Sequence, residues 1–243
     1  MCTVTFIPQA DQGFILSSNR DEQADRSPQN ITIADIAQQK LLFPRDAGAG
    51  GTWIAVSDQN KMLCLLNGAF EIHQRQLPYR LSRGVMVLDF FNYPEAKDFM
   101  AQYNLENIEP FTLVIYDRGA LYELRWDGIE RYIKVLDPQQ IHIWSSATLY
   151  SKEVREKREK WFADWQQKNE HLDLTAILDF HKNAGEGDPW NDVIMNRLGI
   201  VETVSITNVV GTAEAIQMLY HDLVNNKIKQ EKIYLKGEVV ESN

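Results

Sequence analysis

MCTVTFIPQADQGFILSSNRDE, residues 1–22, is the stretch whose reading decides the fold. Residues 2–8 are rich in β-branched and aromatic side chains, and Cys2, Val4 and Phe6 alternate with Thr3, Thr5 and Ile7. A period of two in such residues predicts a strand. Asp11, Gln12 and Gly13 supply turn chemistry, and residues 14–17 resume the extended pattern, so the two segments pair antiparallel about a short loop. With Pro8 opposite Phe14 or Ile15, the antiparallel count sets Cys2 opposite Arg20 or Asp21. The second residue of the chain and the acidic end of the second strand are therefore expected at one end of a sheet.

That juxtaposition has a chemical reading. Initiator methionine is usually trimmed before a small residue, and a chain beginning at Cys2 carries a thiol and a free α-amine on one residue. The amine has an ordinary pKa of about 7.7 to 8.0 and the thiol one of about 8.5, so near neutral pH the amine can accept the thiol's proton. An N-terminal amine that activates its own side chain is a route to covalent catalysis, and Asp21 is placed to orient that amine. Against this stands the plain reading of a lone cysteine as a small apolar residue.

Working outward, 19–30 is polar, contains Pro28 and reads as a loop leaving the sheet. Gly48, Gly50 and Gly51 precede Thr52 and Trp53, and small residues of that kind let backbone approach a ligand or another strand. Residues 53–57 and 62–67 form a second hairpin that brings Asn67 near Thr52. Two helical patterns follow over 81–103, then a meander of strands near 111–116, 120–126 and 129–135, and a short strand from His142. A charged helix over about 150–168 has Val154, Trp161 and Trp165 as its expected buried stripe. A helix at 172–182 and a strand at 201–209 come next. Residues 213–223 fit helix or strand, with Ile216, Met218 and Tyr220 favouring strand, and 228–235 reads as an edge strand.

The totals bound the partners. The chain has 243 residues, 44% of them hydrophobic, which suffices for a core and predicts one domain over 1–243. Thirty-four acids against 25 bases leave a formal charge of -9 without a basic stripe, which argues against a nucleic-acid partner. No run approaches eighteen apolar residues and no secretory leader is visible, so neither a membrane span nor export is expected and a cytoplasmic location is, with Cys2 and Cys64 reduced. Cys64, between two leucines of a strand, reads as core. The histidines at 73, 142, 171, 181 and 221 lack ligand spacing, so no metal is expected and solvated surface is their default. The glycine cluster lacks the Lys and Ser or Thr of a phosphate loop, and no cofactor is expected.

The opening strand from Cys2, Ser18-Asn19-Arg20-Asp21-Glu22, Gly50-Gly51-Thr52-Trp53 and Asn67 together resemble the NRDE family, similar to Transport and Golgi Organisation protein 2. The resemblance implies an α+β fold, a four-layer αββα sandwich of the N-terminal-nucleophile hydrolase type, and likeness to bile-salt hydrolases and penicillin V acylases. It implies Cys2 as nucleophile and base, Asp21 as holder of the amine and Asn67 as an oxyanion donor, with Asn19, Arg20, Thr52, Trp53 and Ser146 around the substrate. The implied reaction is hydrolysis of a linear amide, a small-molecule partner. The chain departs from the acylases at Ser18 and Val204, where arginines are expected, and at Ser146, where an asparagine is. Those losses favour the alternative, a non-catalytic carrier of haem or lipid on the same fold, while Cys2 and Asp21 favour the enzyme.

Overall fold

The computed structural model describes residues 3–236. Strands β1 (Thr3–Pro8) and β2 (Phe14–Glu22) form the expected hairpin, with Pro8 opposite Phe14 and Thr3 opposite Asn19. The expected place of Cys2 opposite Arg20 or Asp21 lies outside the described residues. β2 does not stop at Ser17. It runs on through the whole Asn-Arg-Asp-Glu segment, which the sequence reading assigned to a loop. The polar residues remain in the strand because β12 pairs with it as far as Glu22 and because their side chains find partners within the fold.

Next come β3 (Ile31–Ile36) and β4 (Gln39–Pro44), a hairpin absent from the sequence reading, then β5 (Ile54–Ser57) and β6 (Lys61–Asn67). Helices α1 (Arg83–Asp89) and α2 (Ala96–Gln102) lead into the meander β7 (Phe111–Asp117), β8 (Ala120–Trp126) and β9 (Arg131–Leu136). The chain continues through β10 (His142–Ser145), α3 (Lys152–Lys168), α4 (Leu174–Asn183) and the two-residue β11 (Asn196–Arg197). It closes with β12 (Val201–Gly211), β13 (Ala215–Asp222) and β14 (Lys227–Tyr234), the last an edge strand as expected.

Among the described residues these strands make two seven-stranded sheets. The first runs β10-β1-β2-β12-β13-β14 with β11 beside β12, and the second runs β3-β4-β5-β6-β7-β8-β9. Every pairing is antiparallel, so each strand presents alternate side chains to opposite faces. Val4, Phe6, Phe14, Leu16, Val209 and Met218 of the first sheet share one continuous core with Met62, Cys64, Val114 and Tyr116 of the second, and Tyr116 touches the rings of Phe6 and Phe14 directly. Helices α1 and α2 cover the second sheet, and α3 and α4 cover the first. The result is an α+β protein built as a four-layer αββα sandwich, because two sheets that each bury both faces need helices outside and each other inside.

The outer contact of α3 and α4 is thinner. Ile7, Ile15, Phe162, Ile177 and Phe180 form a small separate cluster there. At about 1.5 to 3 kcal/mol for each fully buried side chain, it contributes far less than the inter-sheet core. The buried residues of α3 are Arg158 and Phe162; the expected stripe residues Val154, Trp161 and Trp165 are only partly buried. Caps fix where the helices begin. Asp173 accepts the N–H of Ala176 at 2.9 Å, and Ser151 accepts that of Val154 at 3.5 Å.

Candidate active site

The Asn-Arg-Asp-Glu segment alternates between two environments because it lies in a strand. Asn19 and Asp21 face the helices, and Arg20 and Glu22 face a cavity at the end of the sandwich. That cavity measures about 870 Å³, room for a drug-sized molecule or a short acyl chain. Arg20, Thr52, Trp53 and Asn67, far apart in sequence, all line it. Leu65, Leu77, Pro78 and Leu81 provide its apolar wall.

Arg20 forms its floor. The side chain is almost wholly buried, its guanidinium lies 4.3 Å from the centre of the Trp53 ring, and it pairs with Asp46 and donates to the carbonyl of Arg26 at 3.2 Å. Asp46 also takes Arg26 at 2.7 Å and the N–H groups of Gly48 and Ala49 at 2.9 and 2.8 Å. Burial pushes the Asp46 carboxyl up, but the Ala49 amide, the two arginines and the Gly48 amide outweigh it and hold the group below the usual carboxylate range. Arg26 and Asp46 carry no local motif, so sequence reading missed them; the glycine-rich turn that follows Asp46 was the available signal.

Close backbone approach explains Gly51. A side chain there would run into the backbone of Gly84 and Val85 at the start of α1, and the Thr52 amide donates to the Gly84 carbonyl at 3.0 Å. The small-residue loop thus meets the backbone of α1, and its Ala49 and Gly51 also line the cavity. Thr52 turns its hydroxyl to the carbonyls of Pro44 and Ile54, at 2.7 and 2.9 Å, so it shapes the wall without offering that donor to the cavity. Asn67 ends β6, is partly exposed and lines the cavity, while its carbonyl accepts the Ser146 hydroxyl at 2.9 Å.

Three of the expected residues stand behind the cavity. Ser146 is fully buried beneath Asn67, a second contact away from any ligand. Asn19, expected at the substrate, is fully buried on the helix side, where its amide donates to the carbonyls of His181 and Val193 at 3.0 and 2.9 Å. That orientation aims its oxygen at His181 Nδ1, which must carry the proton, and leaves Nε2 to accept the Thr5 hydroxyl at 2.8 Å. His181 is thus a buried structural group, not the solvated residue expected, and burial together with nearby Arg158 pushes its pKa down to about 3. His221 is also buried.

Asp21 is buried with one oxygen taking the Tyr150 hydroxyl at 2.5 Å and the other the Thr203 hydroxyl at 2.6 Å. Tyr150 closes the turn whose Thr148 and Leu149 line the cavity, so the carboxylate lies one residue behind its wall. Neither Tyr150 nor Thr203 has a sequence signature. Ser18 and Val204 are buried where the resemblance leads one to expect arginines. Arg20, two residues beyond Ser18 on the same face of β2, supplies a guanidinium on this side of the sheet. Cys2 lies outside the described residues. Cys64 is fully buried with its thiol pushed up to about 12, chiefly by burial, which leaves it inert near neutral pH.

Among the described residues, no three His, Cys, Asp or Glu side chains gather as the ligands of a metal would. No helix there is long and apolar enough to cross a membrane. A family model described as Transport and Golgi organisation 2 matches residues 1–185. No curated protein matches the sequence. Two variants of conjugated bile acid hydrolase from Clostridium perfringens superpose with TM-scores of 0.54 and 0.55, each at 11% identity. The first covers 97% of both chains, the second 96% of this chain and 97% of the enzyme. The Caenorhabditis elegans ortholog of N-acylethanolamine-hydrolyzing acid amidase superposes at 0.54 with 11% identity, over 85% of this chain and 92% of its own. At that identity the likeness shows the fold alone, the αββα sandwich of N-terminal-nucleophile hydrolases.

Proposed function

The chain belongs to the Transport and Golgi organisation 2 family, and on its hydrolase fold we propose that it cleaves a linear amide with Cys2, freed of Met1, as nucleophile. One observation carries the reading. Arg20, Thr52, Trp53 and Asn67 converge on one cavity at the sheet end where β1 begins, and a single peptide unit, about 3.8 Å between Cα atoms, joins Thr3 to Cys2. The α-amine of Cys2 takes the thiol proton and the thiolate adds to the amide carbon. The tetrahedral intermediate puts its charge on the former carbonyl oxygen, toward the Asn67 amide and a backbone N–H. Collapse breaks the carbon–nitrogen bond, the leaving amine takes the proton held by the α-amine, and water then hydrolyses the thioester with the α-amine as base. Asp21 supports the ammonium that forms in each half. The Arg20 guanidinium and the apolar wall orient the substrate.

Two features favour a second reading, a carrier that holds a lipid or haem without cleaving it. Ile72 and Leu77 stand exposed at the rim, and Ser18 and Val204 replace charge with neutral side chains. Rapid mixing with an acyl 4-nitroanilide separates the two. The hydrolase gives a burst of nitroaniline that Cys2→Ser abolishes. Asn67→Ala slows acylation about a hundredfold, the size of one oxyanion donor worth about 3 kcal/mol. Equal tight binding of haem or a fatty acid by wild type and Cys2→Ser, with no burst in either, would replace the hydrolase with the carrier.

A further inference from the structure

Helix α3 buries a guanidinium in the middle of its packed face. Arg158 is fully buried and donates to the Thr3 hydroxyl, to the Asn191 carbonyl through Nε and Nη2 at 3.3 and 2.9 Å, and to the Asp192 carbonyl at 2.6 Å. Its guanidinium lies 3.7 Å from the centre of the Tyr150 ring. Among the described residues, none of these acceptors is a carboxylate. A cation buried among neutral partners is costly to desolvate, and an apolar side chain beside Phe162 would avoid that cost. The groups it touches indicate what the charge accomplishes. Thr3 follows Cys2 in the chain. Tyr150 donates to Asp21 at 2.5 Å, and a cation on the face of its ring strengthens the phenol as a donor. The other oxygen of Asp21 is held by Thr203, whose own oxygen takes the Met195 amide at 2.9 Å. Each carboxylate oxygen can accept a second hydrogen bond, so Asp21 retains capacity for an ammonium.

We infer that Arg158 is a positioning residue for the amino-terminal nucleophile, holding Thr3 directly and Asp21 through Tyr150, so that α3 sets how the α-amine of Cys2 meets its carboxylate. The inference rests on the proposed role of Cys2. A carboxylate held against the amine raises the amine's pKa, and that is measurable without turnover. The α-amine is labelled with carbon-13 by reductive methylation and titrated by NMR in wild type, Tyr150→Phe, Arg158→Lys and Arg158→Met. Tyr150→Phe keeps the ring but removes one of the two hydroxyls that hold Asp21, and Arg158→Met takes the cation from the Tyr150 ring and the donor from Thr3. Both are expected to lower the amine's pKa and to cut the acylation rate at least tenfold with little change in KM. Arg158→Lys, which keeps the charge and loses the planar fork, is expected between them and wild type. An amine that titrates alike in wild type and Tyr150→Phe, or a mature chain that retains Met1, overturns the inference. A pKa shift in the variants without any acylation by wild type would remove the hydrolase and leave the positioning role standing.

Discussion

Asn19 and Arg20 are neighbours on β2 and face opposite sides of the first sheet, one bonded to His181 of α4, the other stacked on Trp53 in the cavity. The motif therefore divides its labour by parity. Asn19 and Asp21 tie the sheet to the helical layer and its adjoining turns, while Arg20 and Glu22 belong to the charged wall.

The helix side of that division is pH-sensitive. His181 titrates at about 3 in the folded protein and at about 6.5 in the unfolded chain, so between those values the unfolded chain binds a proton the folded one excludes. Stability is complete above about pH 6.5 and falls as pH drops through this window. Urea midpoints should show wild type losing about 2 kcal/mol more than His181→Gln between pH 7 and pH 5. Parallel losses would place the acid sensitivity elsewhere.

On the cavity side, Asp46 is the only carboxylate at hydrogen-bond distance from Arg20 among the described residues. Asp46→Ala leaves a buried guanidinium without its partner and should cost about 3 kcal/mol, whereas Asp46→Asn, which keeps an acceptor for Gly48 and Ala49, should cost less. The half-exposed Arg26 is the control, with Arg26→Ala costing about 1 kcal/mol. Because the Asp46 carboxyl is held below its ordinary range, its contribution is present above about pH 4 and lost as pH falls through the depressed value. Thermal melts of the three variants at pH 7 test the order.

Glycine positions separate in the same way. Gly51→Ala drives a methyl group into the backbone of α1 and should cost about 3 kcal/mol, with the cavity wall displaced. Gly50→Ala meets no atom and bears only the strain of a left-handed backbone, about 1 kcal/mol. Chemical denaturation of both chains gives the comparison directly.

Much of this arrangement could be read from the sequence because hydrophobic period and turn chemistry are local. They gave the β1–β2 register, the β5–β6 hairpin that carries Asn67, the meander and the edge strand β14. Polarity misled where polar groups are satisfied inside the protein. Asn19 to Glu22 looked like a loop and is a strand, Asn19 looked like a ligand contact and is a fastener, and His181 looked solvated and is buried. Asp46, Tyr150 and Arg158 were invisible because their roles arise from contacts across 26, 129 and 155 residues of chain.

Thiol chemistry distinguishes the two cysteines. Cys64 is buried and its thiol titrates at about 12, so native protein treated with iodoacetamide at pH 7.5 should take one label, at residue 2. Labelling of Cys64 at a comparable rate would show that the sheets open at that strand.

The most direct measurement is the intact mass of the purified protein after brief exposure to an activated acyl amide, with the modified peptide sequenced. The account predicts a chain lacking Met1 that carries one acyl group on the sulfur of Cys2, and no acyl group on Cys2→Ala. A retained Met1, or an acyl group found elsewhere and unaffected by that substitution, would contradict it.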